Sequence, residues 1–416
     1  MDEVIYPKFR WYVMCTMIIV TAVQGIALIG PAPLIPEILK TMPQYSPGEI
    51  TLMTMSSFNL FVALGALFGG ILLDKFGVVK VYIGCLVLIG AGAFLMPVIG
   101  NSLWGMIFNR MLQGFGAGPI MASSAPLAAA YFPHKERSIV AGFQGFSVAF
   151  GIVLGLSIIP GLAVSMGNWA KSLMVIGPIA TIAIILPVII LFGPKPPETA
   201  PQQTKQEADA GIKHAFKAAL AMPVTWVAIA AYFIMSWAFQ AFLDVTPGYI
   251  GVDTYGGLGL GTVKGGQFLI TAQIFFMGGA ILGGIITDKV FKANGRPLMA
   301  AGFLVGAIFT FLIQVDFVTS NQAVLIFCLT GIGLFYSFVN PQAVGYLAKN
   351  YPKEITGKLG GLATGLAIFG GWGAATMGGI LIHTSGYPAS ILVNMFSLCI
   401  IGFIVSLFLK PKKGVE

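Results

Sequence analysis

Apolar residues fall along this chain in long blocks separated by short polar connections. About twenty apolar residues carry an α-helix across a hydrocarbon layer, and a helix there satisfies its own backbone hydrogen bonds. Twelve blocks meet that length, at residues 11–37, 49–73, 79–98, 103–130, 138–162, 170–191, 224–245, 267–286, 297–315, 322–347, 359–382 and 390–409. The pattern predicts an all-α membrane protein. The first block has Asp2 and Glu3 ahead of it and is longer than a signal-peptide core, so it predicts a retained first helix.

Only one connection is long and polar, from Gly193 to about Met222, with Pro194, Pro196, Pro197, Gln202, Gln203, Lys205 and Glu207. It divides the chain into a six-helix bundle over residues 1–193, a linker over 194–222 and a second six-helix bundle over 223–416. Its Pro-rich start and mixed charges predict a cytoplasmic linker with a short amphipathic helix around residues 212–221. The two bundles read as copies. A shift of 214 residues sets Pro33 on Pro247, Gly70 on Gly284, Asp74 on Asp288 and Lys75 on Lys289. A shift of 219 sets Phe132, Pro133 and Gly142 on Tyr351, Pro352 and Gly361. Two such halves predict a pseudo-symmetric pair of six-helix bundles, twelve transmembrane helices in all.

Composition agrees with lipid as the solvent. The 416 residues are 57% hydrophobic and 9% charged, against roughly 25% charged in soluble domains. The 54 glycines suit membrane helices whose backbones approach closely. A net charge of +8 raises the question of nucleic acid, which the placement of the basic residues answers. With a cytoplasmic N-terminus, nineteen of the 23 Lys and Arg fall in inner segments, and Lys40, Lys171 and Lys264 fall outside. The remaining one, Arg110, lies inside a span. This asymmetry predicts a multi-pass protein of the cell inner membrane with both termini cytoplasmic, and no nucleic-acid partner. Cys15, Cys85, Cys328 and Cys399 all lie in apolar runs without C-x-x-C spacing and read as small core residues.

Specific motifs sharpen the class. The loop after the second span reads Gly70-x-x-x-Asp74-Lys75-x-Gly77-x-x-Lys80, and a degenerate copy, Gly284-x-x-x-Asp288-Lys289, follows the eighth. The fourth span carries Arg110-x-x-Gln113-Gly114-x-Gly116-x-Gly118. With the twelve spans, the long middle linker and Pro33 near the outer end of the first, these features resemble the major facilitator superfamily over essentially the whole chain. The branch most similar is that of organic-anion and monocarboxylate carriers. Val78 and Val79 stand where that superfamily often has basic residues. At the end of a helix, Asp74 could accept hydrogen bonds from the exposed N–H groups that begin another helix, so Asp74, Lys75 and Asp288 are expected to act in gating.

Glycine spacing in the fifth and eleventh spans, Gly151-x-x-x-Gly155 and Gly361-x-x-x-Gly365 with Gly370, Gly371 and Gly373, predicts smooth faces on which the halves slide. The superfamily's proton-driven drug exporters typically carry Gly-Pro within the fifth-helix motif, whereas Leu156 follows Gly155 here.

Ionisable residues at membrane depth are candidates for function. Arg110 lies about seven residues, roughly 10 Å, from the outer end of its span. Its planar fork could bind a carboxylate, or it could organise its own helix through neighbouring carbonyls and Gln113. Asp244, at comparable depth in the seventh span, could carry a coupling proton, pair with a substrate cation, or be an interface residue near Pro247 and Tyr249. Gln24, Asn59, Gln144, Gln240, Gln273, Tyr336, Asn340 and Trp372 supply polar and aromatic groups in mid-span, as do Ser123 and Ser124. Each could contact a small polar solute or join two helices.

No catalytic signature survives. His134, His214 and His383 are scattered, no metal-ligand spacing occurs, and there is no phosphate-binding Gly-Lys-Ser/Thr loop. The expectation is a non-enzymatic secondary transporter without cofactor or metal, most simply a monomer. Its partners are the lipid bilayer, a small-molecule substrate and a coupling proton or counter-anion. An organic anion such as a carboxylate, moved by alternating access through proton symport or anion exchange, is the leading reading. Proton-driven export of cationic or amphiphilic compounds through Asp244 is the alternative.

Overall fold

The computed structural model describes residues 7–133, 136–196, 214–292, 294–351 and 353–409. His134 and residues 197–213, which hold most of the expected linker, lie outside them. A short helix covers residues 214–221, with Ala219 buried and Lys217 exposed, which is the amphipathic turn expected there.

The first six helices are α1 (Arg10–Thr41), α2 (Pro47–Phe76), α3 (Val78–Ile99), α4 (Leu103–Met121), α5 (Arg137–Met166) and α6 (Trp169–Phe192). Their ends follow local chemistry. Pro31 and Pro33 interrupt α1, which passes through a 3-10 turn at Ala32–Leu34 before resuming. Ser46 and Glu49 cap α2 reciprocally, with Ser46 N–H donating to Glu49 Oε2 at 2.7 Å and Glu49 N–H donating to Ser46 Oγ at 3.2 Å. A π-helical turn, Leu52–Ser56, widens α2. Gly77, at φ 77°, makes the one-residue turn into α3 that a side chain would strain. After α4 the chain breaks at Ala122 and resumes helically over Ser124–Tyr131.

The other six helices are α7 (Pro223–Gly251), α8 (Thr262–Lys289), α9 (Arg296–Leu312), α10 (Gln322–Ser337, continued by Val339–Asn350), α11 and α12. Helical structure runs without a loop from Lys353 to Leu407, but Gly386, at φ 85°, divides it into α11 (353–385) and α12 (387–407). A second π-helical turn, Leu392–Phe396, lies in α12. Nine helices among the described residues are long and apolar enough to cross a membrane by length and composition, the 50-residue stretch Lys358–Leu407 counting once. Dividing that stretch and adding α4 and α9 gives twelve. Phe192, Trp104 and Val98 are 87%, 76% and 75% exposed, as apolar side chains meeting lipid would be.

Helix crossings repeat between the halves in matching register. A Cβ on Gly114 of α4 would lie 2.6 Å from Phe58 O of α2, and one on Gly333 of α10 would lie 2.1 Å from Ala272 O of α8. Phe58 and Ala272 differ by 214, and Gly114 and Gly333 by 219, the two shifts found in the sequence. The start of each half repeats as well. Trp11 meets Phe132 edge-on at 5.7 Å between centroids, and at the shifted positions Thr225 Oγ1 lies 2.5 Å from Tyr351 Oη. Arg10 adds an ion pair with Glu136, 3.0 Å, in the first half.

Contacts group the described residues of Met1–Thr199 with Pro247–Gln267 into one compact unit, and those of Ala200–Thr246 with Phe268–Glu416 into a second. In the first unit, the end of α7 and the start of α8 pack on α1 and α5. Gly251 adjoins Pro36, Thr262 Oγ1 donates to Glu37 Oε1 at 3.2 Å, and Gly266 adjoins Leu156 O and Pro160.

The expectation of a sliding face is corrected for α5. Gly151 and Gly155 pack against α1 of the same unit, where a Cβ on Gly151 would lie 2.1 Å from Ala22 O. On α11, Gly370, Gly371 and Gly373 receive Phe233, Gln240 and Trp237 of α7, while Gly361 and Gly365 meet nothing within 4 Å. Small residues here serve close crossings inside each unit.

Candidate substrate site

In the first unit the deepest charge is Arg110 on α4, 1% exposed. Its Nε donates to Thr54 O at 2.8 Å, one terminal nitrogen donates to Ala27 O at 2.8 Å and Gln113 Oε1 at 2.6 Å, and the other donates to Leu28 O at 3.3 Å. The guanidinium lies 4.2 Å from the Phe58 ring centroid, within cation–π range. These acceptors are available for local reasons. Ala27 O would bond the N–H four residues on, but that residue is Pro31, which has none. The 3-10 turn from Ala32 disturbs the partner of Leu28, and Thr54 lies in the π-helical turn of α2. Gly92 of α3 leaves room for Gln113, since a Cβ there would stand 2.8 Å from Gln113 Cγ. Of the two roles read from the sequence, these contacts are those of the helix-organising one.

The other candidates of this unit divide by whether the protein satisfies them. Gln144 of α5 donates through Nε2 to Ile120 O at 2.7 Å and Met121 O at 3.1 Å, closing the broken end of α4. Ser123, at that break, meets Tyr82 Oη at 2.7 Å. Asn59 is buried on α2. Gln24 is fully buried, yet its Oε1 and Nε2 have no hydrogen-bond partner among the described residues, and the same holds for Thr21 Oγ1 and Gln113 Nε2. Asp74 and Lys75 are exposed at the end of α2, Lys75 Nζ lying 5.3 Å from the Phe76 ring centroid.

In the second unit, Asp244 is fully buried on α7 and accepts from Gln240 Nε2, one turn earlier, at 2.9 Å. One turn earlier again, Trp237 Nε1 donates to Asn394 Oδ1 at 2.5 Å, and Asn394 Nδ2 donates to Ala374 O at 2.8 Å. Asn394 thus joins α7, α11 and the π-helical turn of α12. Sequence reading passed over it, although a lone carboxamide near the start of the last apolar block was the available signal. Gln273 of α8, 214 residues beyond Asn59, is fully buried with both amide atoms lacking partners among the described residues. Tyr336 is enclosed, its Oη 2.9 Å from Thr310 Oγ1 and accepting from Cys399 Sγ at 3.2 Å. Asn340 is half-buried after the turn in α10, and Trp372 is 36% exposed on α11. Asp288 falls in the last turn of α8, and its side chain lies outside the described set. The structure therefore brings together Arg110 with Gln113 in the first unit and Asp244 with Gln240 in the second.

Known proteins bear on the family of this fold. The model of the Major Facilitator Superfamily matches residues 17–311. The probable sulfoacetate transporter SauU of Cupriavidus necator is 23% identical over 428 residues, covering 97% of this chain and 94% of its own. The probable galactarate/D-glucarate transporter GarP of Escherichia coli is 24% identical over 354 residues, covering 76% and 77%. Among solved structures, a D-xylose–proton symporter superposes with a TM-score of 0.75 at 17% identity, covering 97% of both chains. A match across well over half the chain, on twelve helices repeated in register, leaves one conclusion: this membrane-spanning chain belongs to the Major Facilitator Superfamily and is a transporter, not an enzyme.

Proposed function

We propose that the protein is a secondary active carrier of a small organic anion, a carboxylate or sulfonate, working by alternating access in the cell inner membrane with both termini cytoplasmic. The observation that carries this reading is the full burial of Arg110 in a membrane-spanning helix. A guanidinium keeps its charge at any physiological pH, and a permanent cation at that depth is costly unless it is used. Held on the carbonyls of α1 and α2, it acts through its potential, which favours an anion over a cation. The names of SauU and GarP, two relatives that align along most of this chain, support a small organic acid.

Asp244 is the group assigned to the coupling proton, since it is a fully buried carboxylate in a spanning helix, with Gln240 one turn earlier donating to it. That same carboxylate favours a second reading, proton-driven export of cationic compounds. Reconstituted vesicles loaded with unlabelled acid separate the two. Counterflow of labelled glucarate or sulfoacetate is expected, competed by the acids and indifferent to an organic cation. Exchange of labelled tetraphenylphosphonium without exchange of any acid would replace the first reading by the second.

A further inference from the structure

Asp244 ends a stripe of side chains on α7. Phe233, Trp237, Gln240 and Asp244 are spaced four, three and four residues apart, which puts them on one face of a helix. Glycines of α11 seat the first three. A Cβ on Gly370 would lie 3.0 Å from the Phe233 ring, one on Gly373 2.5 Å from the Trp237 ring, and one on Gly371 3.5 Å from Gln240 Cγ. Val245, the neighbour of Asp244, is seated in the same way, since a Cβ on Gly378 would lie 3.0 Å from its Cγ2.

Trp237 is tied as well as seated, because its Nε1 donates to Asn394, which in turn donates to Ala374 O of α11. Gln240 thus stands between two anchored neighbours, with its stem in ordinary contact with the backbone at Gly371 and its Nε2 donating to Asp244 Oδ1 at 2.9 Å. Exposure falls along the stripe. Trp237 and Gln240 are half-buried, whereas Asp244 is fully buried.

The chemistry of the partner matters. A buried carboxylate exists as an anion only where donors offset the loss of water. A lysine or arginine would hold it ionised through the whole transport cycle. A carboxamide N–H donates a hydrogen bond but does not give up its proton, so it supports the charge without fixing it.

We propose that Gln240 is a positioning residue for the coupling carboxylate and not a contact of the passenger. It supports the ionised state of Asp244 in the half of the cycle in which the proton has left. This rests on Asp244 carrying the coupling proton, as read above, and names the group through which that site is tuned.

Two measurements on reconstituted vesicles test it: accumulation of labelled glucarate under an imposed pH difference, and its counterflow at equal pH. If tetraphenylphosphonium is what exchanges, the same pair is read on that cation. Gln240→Met keeps the stem on Gly371 and removes the donor. Gln240→Asn keeps the amide but draws it back by one carbon. Each should lower pH-driven accumulation by about tenfold or more, the worth of a hydrogen bond to a charged group, and leave the rate and half-saturation of counterflow within about twofold. Gln240→Asn decides the matter if Gln240→Met does not fold. Full accumulation in both variants overturns the proposal. So does a raised half-saturation of counterflow, which would make Gln240 a contact of the passenger, or a parallel loss of both activities with a lower melting temperature, which would make it a packing residue. Accumulation that survives Asp244→Asn removes the reading beneath, whereas accumulation lost in Asp244→Asn but intact in both Gln240 variants removes only this inference.

Discussion

Arg110 donates to the carbonyl oxygen of Ala27 across 2.8 Å, replacing a backbone donor that the chain itself cannot provide. Pro31 stands where that donor would be, so the kink in α1 and the charge in α4 are two parts of one contact. Arg110→Lys keeps the charge but loses the fork that reaches Thr54, Ala27, Leu28 and Gln113 together. Each orphaned buried acceptor costs roughly 1–3 kcal/mol. The variant should melt lower and exchange acid more slowly, as read by thermal unfolding in detergent and by counterflow. Unchanged melting would show that the bracket does not support the fold.

Asp244→Asn should separate accumulation from exchange. A neutral amide of the same shape cannot carry a proton. Uptake against a gradient driven by an imposed pH difference should vanish, while counterflow at equal pH persists. Retention of pH-driven accumulation would assign the coupling proton elsewhere.

Asn394→Ala removes the link between Trp237 Nε1 and Ala374 O. The half-buried Trp237 indole N–H loses its partner and the Ala374 carbonyl, within a helix, loses a second bond, so the loss should amount to about 1–2 kcal/mol. Denaturant unfolding followed by tryptophan fluorescence would measure it, and a change below about 0.5 kcal/mol would count against the bridge.

Gly333→Ala and Gly361→Ala form a matched pair. A methyl on Gly333 would meet Ala272 O at 2.1 Å, whereas one on Gly361 meets nothing within 4 Å. Rigid backbone must give way in the first case, at about 1–3 kcal/mol. The second should be neutral or gain about 0.5–1 kcal/mol in helix stability. Equal melting temperatures for the two variants would contradict the α8–α10 crossing.

Much of the architecture was readable because lipid imposes a simple rule, an apolar run of fixed length. The twelve expected spans lie on the observed helices, and the shifts of 214 and 219 recur as spatial contacts of Gly114 and Gly333. Partners were not readable in the same way. The spacing Gly151-x-x-x-Gly155 announces a close crossing but does not say with what, and the partner proved to be α1. Arg110 was open between two roles because its acceptors depend on a 3-10 turn and a π-helical turn. Pro31 was the visible part of that arrangement, while the widened turn at Leu52–Ser56 follows from packing and has no sequence signature. Asn394 was missed for a related reason, since one amide in an apolar block has no periodicity to reveal it.

The segment Pro247–Gln267 belongs by its contacts to the first compact unit, although it comes from the second half of the sequence. The ribosome therefore delivers the first six helices well before it delivers the piece that finishes their packing. Until residue 267 has been synthesised, Pro36, Glu37 and Leu156 lack the neighbours they have in the finished protein. The first unit's contacts are thus complete only once the second half has begun to be made, and a severed N-terminal half would lack part of its own packing.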